Sequence, residues 1–586
     1  MVYLFIKRYK MAKEYIPWAF LEEYRNKATG PSFKGEWPTL PEMFRISVSR
    51  HGERPCFTVF EPDRISLNYN EAHKQIMAVA NWLYSAGLRK GDKAAVTGKN
   101  SPEWAVAYLG IVFAGGIVVP IDHNLKNEET ELLIKTADAK ILFVDEEKHA
   151  HFTANPRGLT NVISMKNGVG TYIYSLNGPD APIEEAVDTD LAAILFTSGT
   201  TGNPKGVMLT HRNLVSDCYL AQGTPLRLYP TDVFYAILPI HHVYTMLAVF
   251  IETISVGAEI VFGKKMVSVV MLKELKEGKV TMLLGVPMLF NKLLTGILRG
   301  VKAKGIVVYG LIRFLMSISG FIKKVFGVNV GKKLFHSVLD KASLATIRIC
   351  ISGGGPLAPS VFRKFNQLGI DFVQGYGLTE TSPIINLNPI EHYKETSVGV
   401  VVPGIEMKIL NPGERGIGEV IVKGPVVMKG YYNMPEETAQ AFTPDGFFKT
   451  GDLGYLDSEN YLYLTGRAKN VIVTEGGKNV YPEEIENEFQ LYDEIDQIMI
   501  RGFISNVKLK REGIEALIYP NPEAKNEKGQ PFTKTEIKTK MDSIVSVVNQ
   551  GLQPYQKIDR VVVLDEPMEL SSTKKIKRHT LSKGIS

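Results

Sequence analysis

The sequence predicts an α/β protein: a large N-terminal body of helix-covered sheets with a small β section, followed by a small α+β lid. Short apolar runs alternate with helical patterns through the first 350 or so residues, which implies parallel sheets covered by helices. An Asn411-Pro412-Gly413 turn and a Pro444-Asp445-Gly446 hairpin signal then mark a more antiparallel section. At 586 residues, 45% hydrophobic and 22% charged, the chain has core enough for several units, which excludes a disordered, collagenous or disulfide-built protein.

The first strands fall at Lys93–Gly98, Gly116–Asp122 and Lys140–Glu146, followed by Leu191–Ser198 and Asp232–Ile240. Ala258–Gly263, Thr281–Val286 and Thr346–Ser352 continue the series. Ahead of the first, Ala72, Ile76, Val79, Ala80 and Leu83 recur at helical spacing until Gly87 stops the run. A boundary is expected near Gly466–Asn470, giving a body over 1–468 and a lid over 469–586. In the lid a helix opens at Pro482, where Glu483 and Glu484 favour the helix dipole. Strands at Ile495–Phe503, Ile514–Pro520 and Val561–Leu564 surround a helix near Thr535–Val548.

Charge is local. Nine basic residues lie between Arg299 and Lys341 against Asp340 alone, so this segment carries +8 of a total of +6 and the remainder is slightly acidic. Within it, Ile306–Ile322 is apolar but contains Arg313 and two glycines, and Lys323 and Lys324 follow directly. A helix lying in a membrane interface with its lysines at the headgroups suits this pattern better than a spanning one; a buried helical insertion is the alternative. The N-terminus lacks the apolar length and cleavage site of a signal peptide. Three scattered cysteines form no metal quartet and fit a reducing, cytoplasmic setting, peripheral at most at the inner face of a membrane. No groove-reading motif accompanies the basic patch, so nucleic acid is not expected as a partner.

The most informative stretch is Leu191–Leu214, where an apolar strand runs into Thr197-Ser198-Gly199-Thr200-Thr201-Gly202-Asn203-Pro204-Lys205-Gly206. Glycines let backbone approach an anion, hydroxyls donate to phosphate oxygens and Lys205 adds positive charge. It lacks the GxxxxGK[ST] spacing of a Walker loop.

This stretch resembles the phosphate-binding loop of the adenylate-forming superfamily, which includes acyl-CoA synthetases, luciferases and peptide-synthetase adenylation domains. Further motifs follow in the order of that family: Ser352-Gly353-Gly354-Gly355-Pro356-Leu357, Gln374-Gly375-Tyr376-Gly377-Leu378-Thr379-Glu380-Thr381, Gly451-Asp452 and Gly466-Arg467. The Gly476-Gly477-Lys478-Asn479 turn and the lysine-rich Glu569–Arg578 close the series, so the resemblance covers about residues 40–580.

The resemblance implies roles. Glu380 would hold Mg2+ against the ATP phosphates with Thr379 donating to a phosphate, since a hard cation takes a carboxylate. Gly353–Gly355, Tyr376 and Gly377 would contact adenine, Asp452 would accept from the ribose hydroxyls, and Arg467 would supply charge nearby. Lys575, favoured over Lys574 by the following Ile-Lys-Arg, would bridge the attacking carboxylate and the α-phosphate. His242 would line the acyl pocket. The neighbouring His241 and His242 are not expected to act as a metal pair, because adjacent strand residues face opposite ways. Lys469 would be the hinge about which a mobile lid presents first Lys575 and then the Gly476–Asn479 turn, which would face coenzyme A.

The implied reaction joins a carboxylic acid to a thiol through an acyl-adenylate, with ATP, Mg2+ and coenzyme A as partners. The apolar, basic insertion at about 294–345 points to a long-chain fatty acid. An acyl-carrier-protein synthetase, an aryl or short-chain CoA ligase and a silent lipid-binding scaffold are the competing readings, and a homodimer is left open.

Overall fold

The computed structural model describes residues 21–25, 32–33, 35–197, 204–224, 226–264, 266, 269–474, 478–506, 511–526, 529–570 and 576–578. Two large sheets carry the body. In one, Pro55–Val59, Glu259–Phe262, Val233–Ala236, Met282–Gly285, Ile349–Ser352 and Asp371–Gly377 lie side by side and parallel. This sheet continues without a break into an antiparallel half from Ile384–Leu387 to Glu406–Leu410. The change of strand direction follows the sequence: helices separate the parallel strands, whereas turns such as 411–417 and 457–460 join antiparallel ones.

The second sheet has seven strands, with Lys93–Thr97 at its centre between Ile117–Ile121 and Ala139–Val144. The helix Pro102–Phe113 is buried over nearly its whole length, including Trp104 and Tyr108, as a helix apolar on all sides must be. The helix Tyr69–Ser85 is amphipathic instead. Asn68 and Glu71 close a reciprocal cap at its start, and Ala72, Ile76, Val79, Ala80 and Leu83 face inward. Each large apolar side chain so buried contributes roughly 1.5–3 kcal/mol.

Beyond residue 479 the chain has its own apolar cluster, in which Val480, Ile485, Ile500, Ala516, Met541 and Ile544 pack together. Strands Ile495–Asn506, Arg511–Pro520 and Arg560–Val563 form a separate three-stranded sheet with the helix Lys534–Gly551.

The basic insertion departs from its expected arrangement. Pro287–Lys302 is a core helix with Leu289, Phe290, Leu293 and Leu294 buried. Ile306–Phe326 follows as a single helix of 21 residues, long and apolar enough by composition to cross a membrane, yet it is seated on the body through Met316, Ser319 and Lys323. Lys323 corrects the expectation of headgroup lysines. Its Nζ donates to Asn366 Oδ1 and Asp371 Oδ1, each at 2.6 Å, because an ammonium on the inner side of a helix must be neutralised there. Lys324 remains exposed.

Candidate active site

The strands Leu191–Thr197 and Lys205–Thr210 pair antiparallel with Thr197 opposite Lys205, so the Gly/Thr-rich loop is the connection of a hairpin. Ser198, Gly199, Thr200, Thr201 and Gly202 themselves lie outside the described residues. The strand Gly430–Tyr431 adds to the same hairpin, pairing with Val207 and Met208. Lys205 Nζ sits 4.8 Å from the centre of the Tyr431 ring. The Tyr431 hydroxyl donates to Glu380 Oε1 at 3.0 Å, and Met428 N–H donates to the Glu380 carbonyl at 2.9 Å. Burial and the Glu380 carboxylate together raise the Tyr431 phenol above its ordinary value, so it stays a donor. Thr379 and Glu380 stand on a one-turn helix following the strand Asp371–Gly377. Lys205 and Glu380, 175 positions apart, are thus joined through one tyrosine that the sequence reading did not single out. Nothing distinguishes Tyr431 from Tyr432 beside it until the strand pairing is known.

A second group forms where the two halves of the large sheet meet. Tyr376 donates its hydroxyl to Asp452 Oδ2 at 2.5 Å, while Arg467 Nε lies 2.7 Å from Asp452 Oδ1. Asp452 and Arg467 are direct partners across the hairpin of Phe448–Leu456 and Tyr461–Arg467. Both oxygens expected to meet ribose hydroxyls therefore already hold protein donors, and Tyr376 is engaged by its hydroxyl as well as by its ring. Burial, reinforced by Asp452, holds the Tyr376 phenol well above its usual range.

Gly353 closes one wall. A Cβ there would stand 3.0 Å from Tyr244 Cζ, and Tyr244 is fixed by donating to the Ile351 carbonyl at 3.0 Å. Gly354 has φ +78°, and a Cβ at Gly355 would make ordinary contact with the Pro287 ring at 3.8 Å. Gly377 packs against the Pro383 carbonyl so closely that a Cβ would fall 1.5 Å from its oxygen. His242 caps the turn Val243–Thr245, accepting from Tyr244 N–H through Nδ1 at 3.3 Å.

The C-terminal unit and the segment leading into it touch this region at named points. Gln490 accepts from Ala358 N–H at 2.8 Å and donates to the Pro356 carbonyl at 3.0 Å, just beyond the glycine wall. Lys469 is exposed on the turn Ala468–Asn470, and Asn470 donates to Glu483 at 2.5 Å. Lys478 and Asn479 border a two-stranded ribbon, with Asn479 opposite Val473; Gly476 and Gly477 lie outside the described residues. Lys575 and Lys574 do too, but both flanks of their loop are defined. Leu570 bridges to Ile576, Lys577 N–H donates to the Glu569 carbonyl, and Arg578 grips Glu486 with two contacts of 2.6 Å. Burial pushes Glu486 up to about 7 even against that guanidinium.

A divalent cation fits the donor set at Glu380, a carboxylate with one oxygen held by Tyr431 and the other without a hydrogen bond among the described residues.

Residues 44–432 match the family described as AMP-binding enzyme. The long-chain-fatty-acid–CoA ligase FadD15 of Mycobacterium bovis is 29% identical over 556 residues, covering 87% of this chain and 90% of its own length. The chloroplastic long-chain-fatty-acid–[acyl-carrier-protein] ligase AEE15 of Arabidopsis thaliana is 26% identical, covering 95% and 87% respectively. Among solved structures, ATP-bound MatB from Rhodopseudomonas palustris superposes with a TM-score of 0.72 at 26% identity, over 93% of this chain and 98% of that one.

Proposed function

Because the chain belongs to the AMP-binding enzyme family, we propose that it activates a long-chain fatty acid with ATP and passes the acyl group to coenzyme A. The observation that carries this reading is the joining of Lys205 to Glu380 through Tyr431 just past the carboxyl end of the strand Asp371–Gly377, which itself carries Tyr376 of the Tyr376–Asp452–Arg467 group. In this reading Lys205 and the hairpin loop hold the ATP phosphates and Glu380 holds Mg2+. The bound metal neutralises phosphate charge. Asp452 exchanges its protein donors for ribose hydroxyls, Tyr376 and Gly353–Gly355 border adenine, and His242 borders the acid. The fatty carboxylate attacks the α-phosphorus, pyrophosphate leaves, and Lys575 balances the charge that builds during transfer. The thiol then displaces AMP from the acyl-adenylate.

The division at 468/469 belongs to the same proposal, with Lys469 as the hinge between the two half-reactions. Lys469→Pro should lose thioester formation much more than adenylation; equal loss of both would overturn the hinge.

Long-chain specificity draws on the similarity to ligases of that description and on the insertion. On the helix Ile306–Phe326, Val307, Leu311, Phe314, Ile318, Phe321 and Val325 are all exposed, in alternating steps of four and three. This stripe beside exposed Lys302, Lys304, Arg313 and Lys324 suits peripheral contact with an anionic cytoplasmic membrane face, where fatty acids partition. Co-sedimentation with phosphatidylglycerol vesicles should be lost in Phe314→Glu/Phe321→Glu.

The deciding experiment measures AMP release with Mg·ATP, coenzyme A and saturated acids from acetate to stearate. A maximum at long chains that requires coenzyme A supports the proposal. The likeness to AEE15 makes carrier protein the one alternative acceptor to include. Pyrophosphate exchange with turnover only on carrier protein would replace the acceptor, and silence with every fatty acid would replace the substrate class.

A further inference from the structure

The His241 side chain is 9% exposed, and its Nδ1 is buried with no hydrogen-bond partner among the described residues. Its Nε2 stands 3.7 Å from Asp122 Oδ2, beyond hydrogen-bond length. His123 repeats the situation: Nδ1 is buried without a partner and stands 3.9 Å from Asp122 Oδ1. Two imidazoles with unpartnered buried nitrogens around one carboxylate require an explanation, since such groups are nearly always satisfied. One ligand atom from each of the three residues lies within 4.8 Å of the other two.

The surroundings fix these groups in place. Asp122 ends the strand Ile117–Ile121, and its Oδ1 accepts from Asn124 N–H and Nδ2 at 2.9 and 3.0 Å, which sets the carboxylate plane and turns Oδ2 toward His241. His241 stands on the loop after Val233–Ala236. The buried Asn100 pins that loop by donating to the Ala236 and Leu238 carbonyls and accepting from Ile240 N–H. Two nearby cations are engaged elsewhere: Lys99 pairs with Glu147, and Lys148 donates to the Leu125 carbonyl.

We propose that Asp122, His123 and His241 form a binding site for one divalent transition-metal ion of the zinc type. Two imidazole nitrogens and a carboxylate oxygen are its characteristic ligands, with a fourth position open to water. Tetrahedral bonds of about 2.0–2.1 Å require ligand atoms roughly 3.3 Å apart. The three ligand atoms lie within 4.8 Å of one another, so side-chain rotations must draw them together by up to about 1.5 Å to complete the site. The ion clamps the end of one sheet's strand to the loop that carries His242, and Asn124 acts as the orienting partner of its carboxylate ligand. This is independent of the ATP site, since neither His241 nor Asp122 belongs to the groups around Glu380 or Asp452.

The test uses full-length, tag-free protein stripped with chelator and dialysed against Zn2+, with bound metal counted by mass spectrometry. One zinc per chain is expected, with affinity lower by about 100-fold in His241→Ala and Asp122→Asn and by about 10-fold in Asn124→Ala. Zinc should raise the melting temperature of the wild type and leave that of Asp122→Asn unchanged. The more exposed His123→Gln guards against a folding defect in the His241 variant and should lose zinc with its melting temperature in chelator intact. Co2+ should give the intense visible bands of a four-coordinate site. Absence of stoichiometric zinc, or zinc retained equally by Asp122→Asn and His123→Gln, would overturn the proposal. None of these three readouts involves ATP or acid, so failure here leaves the ligase reading untouched, and the reverse.

Discussion

Arg578→Ala isolates the contribution of the C-terminal tail to catalysis. Arg578 is three residues past the candidate catalytic Lys575, and it is what fastens that tail to the lid: two guanidinium contacts of 2.6 Å to Glu486 and a third bond of 2.9 Å to the Ile500 carbonyl. Breaking a fully buried pair of this kind costs about 3–5 kcal/mol. Arg578 is 27% exposed, so screening reduces this to roughly 2–3 kcal/mol. Glu486, already pushed to about 7 by burial, would rise further without the guanidinium and take up a proton at neutral pH, so the lid itself should stay folded. The loss then falls on docking of the tail. At about 1.4 kcal/mol per factor of ten, the docked population drops by roughly 30- to 150-fold if no other contact compensates. The Leu570–Ile576 bridge and the Lys577–Glu569 pair make the lower end the better expectation. Acid-dependent pyrophosphate exchange should fall by that factor, whereas thioester formation from supplied acyl-adenylate should change little. Arg578→Lys keeps charge without the fork and should fall between. Exchange at the wild-type rate in a folded Arg578→Ala protein would refute the assignment of the tail to the first half-reaction.

Three further outcomes follow from single side chains. Burial raises Glu252 from 4.5 to about 8, so the folded chain keeps a proton that the unfolded chain has released; the stability tied to it is full at acid pH and lost as pH rises from about 4.5 toward 8. Thermal melting of Glu252→Gln against wild type should show the variant gaining roughly 3 kcal/mol in relative stability between pH 5 and pH 8, and a pH-independent difference would show that Glu252 does not titrate this way. Gly353→Ala should cost about 1–3 kcal/mol by driving a methyl to 3.0 Å from Tyr244 Cζ, and combining it with Tyr244→Leu should recover part of the loss in a double-mutant cycle; additive losses would place the strain elsewhere. Tyr431→Phe removes the hydroxyl donor from Glu380, so half-saturation by Mg2+ should require about 10-fold more metal with the fold unchanged, and an unaltered Mg2+ dependence would separate Tyr431 from the metal ligand.

What was legible in the sequence and what was not divides along the reach of each interaction. Strand–helix alternation exposed the strands at 93–97, 117–121 and 191–197 because buried parallel strands read as short apolar runs, and it anticipated the helix at 69–85 from inward positions that recur every three or four residues. Pro55–Val59 and Asn161–Ser164 escaped because four or five residues at a sheet's flank carry too little pattern to separate from a loop. Lys323 was misplaced for a different reason. Its partners Asn366 and Asp371 lie more than 40 positions away, so a lysine at the end of an apolar run reads as solvated until the helix is packed.

The same limit governs the sites. Motif residues of the body could be singled out because each sits at a strand end or turn whose local sequence is itself distinctive, as in Thr379-Glu380 or Gly451-Asp452. Their connectors were not: Tyr431 gains meaning only when a two-residue strand pairs beside Lys205, and Gln490 only when it meets the Pro356 and Ala358 backbone. His241 is the sharpest case. Judged beside His242 it cannot form a metal pair, because neighbours on an extended chain diverge, and its candidate co-ligands are instead Asp122 and His123, 118 or more positions earlier at the end of another sheet's strand. A spacing argument is therefore blind to any site assembled across two sheets, while unpaired buried nitrogens reveal it as soon as the chain is folded.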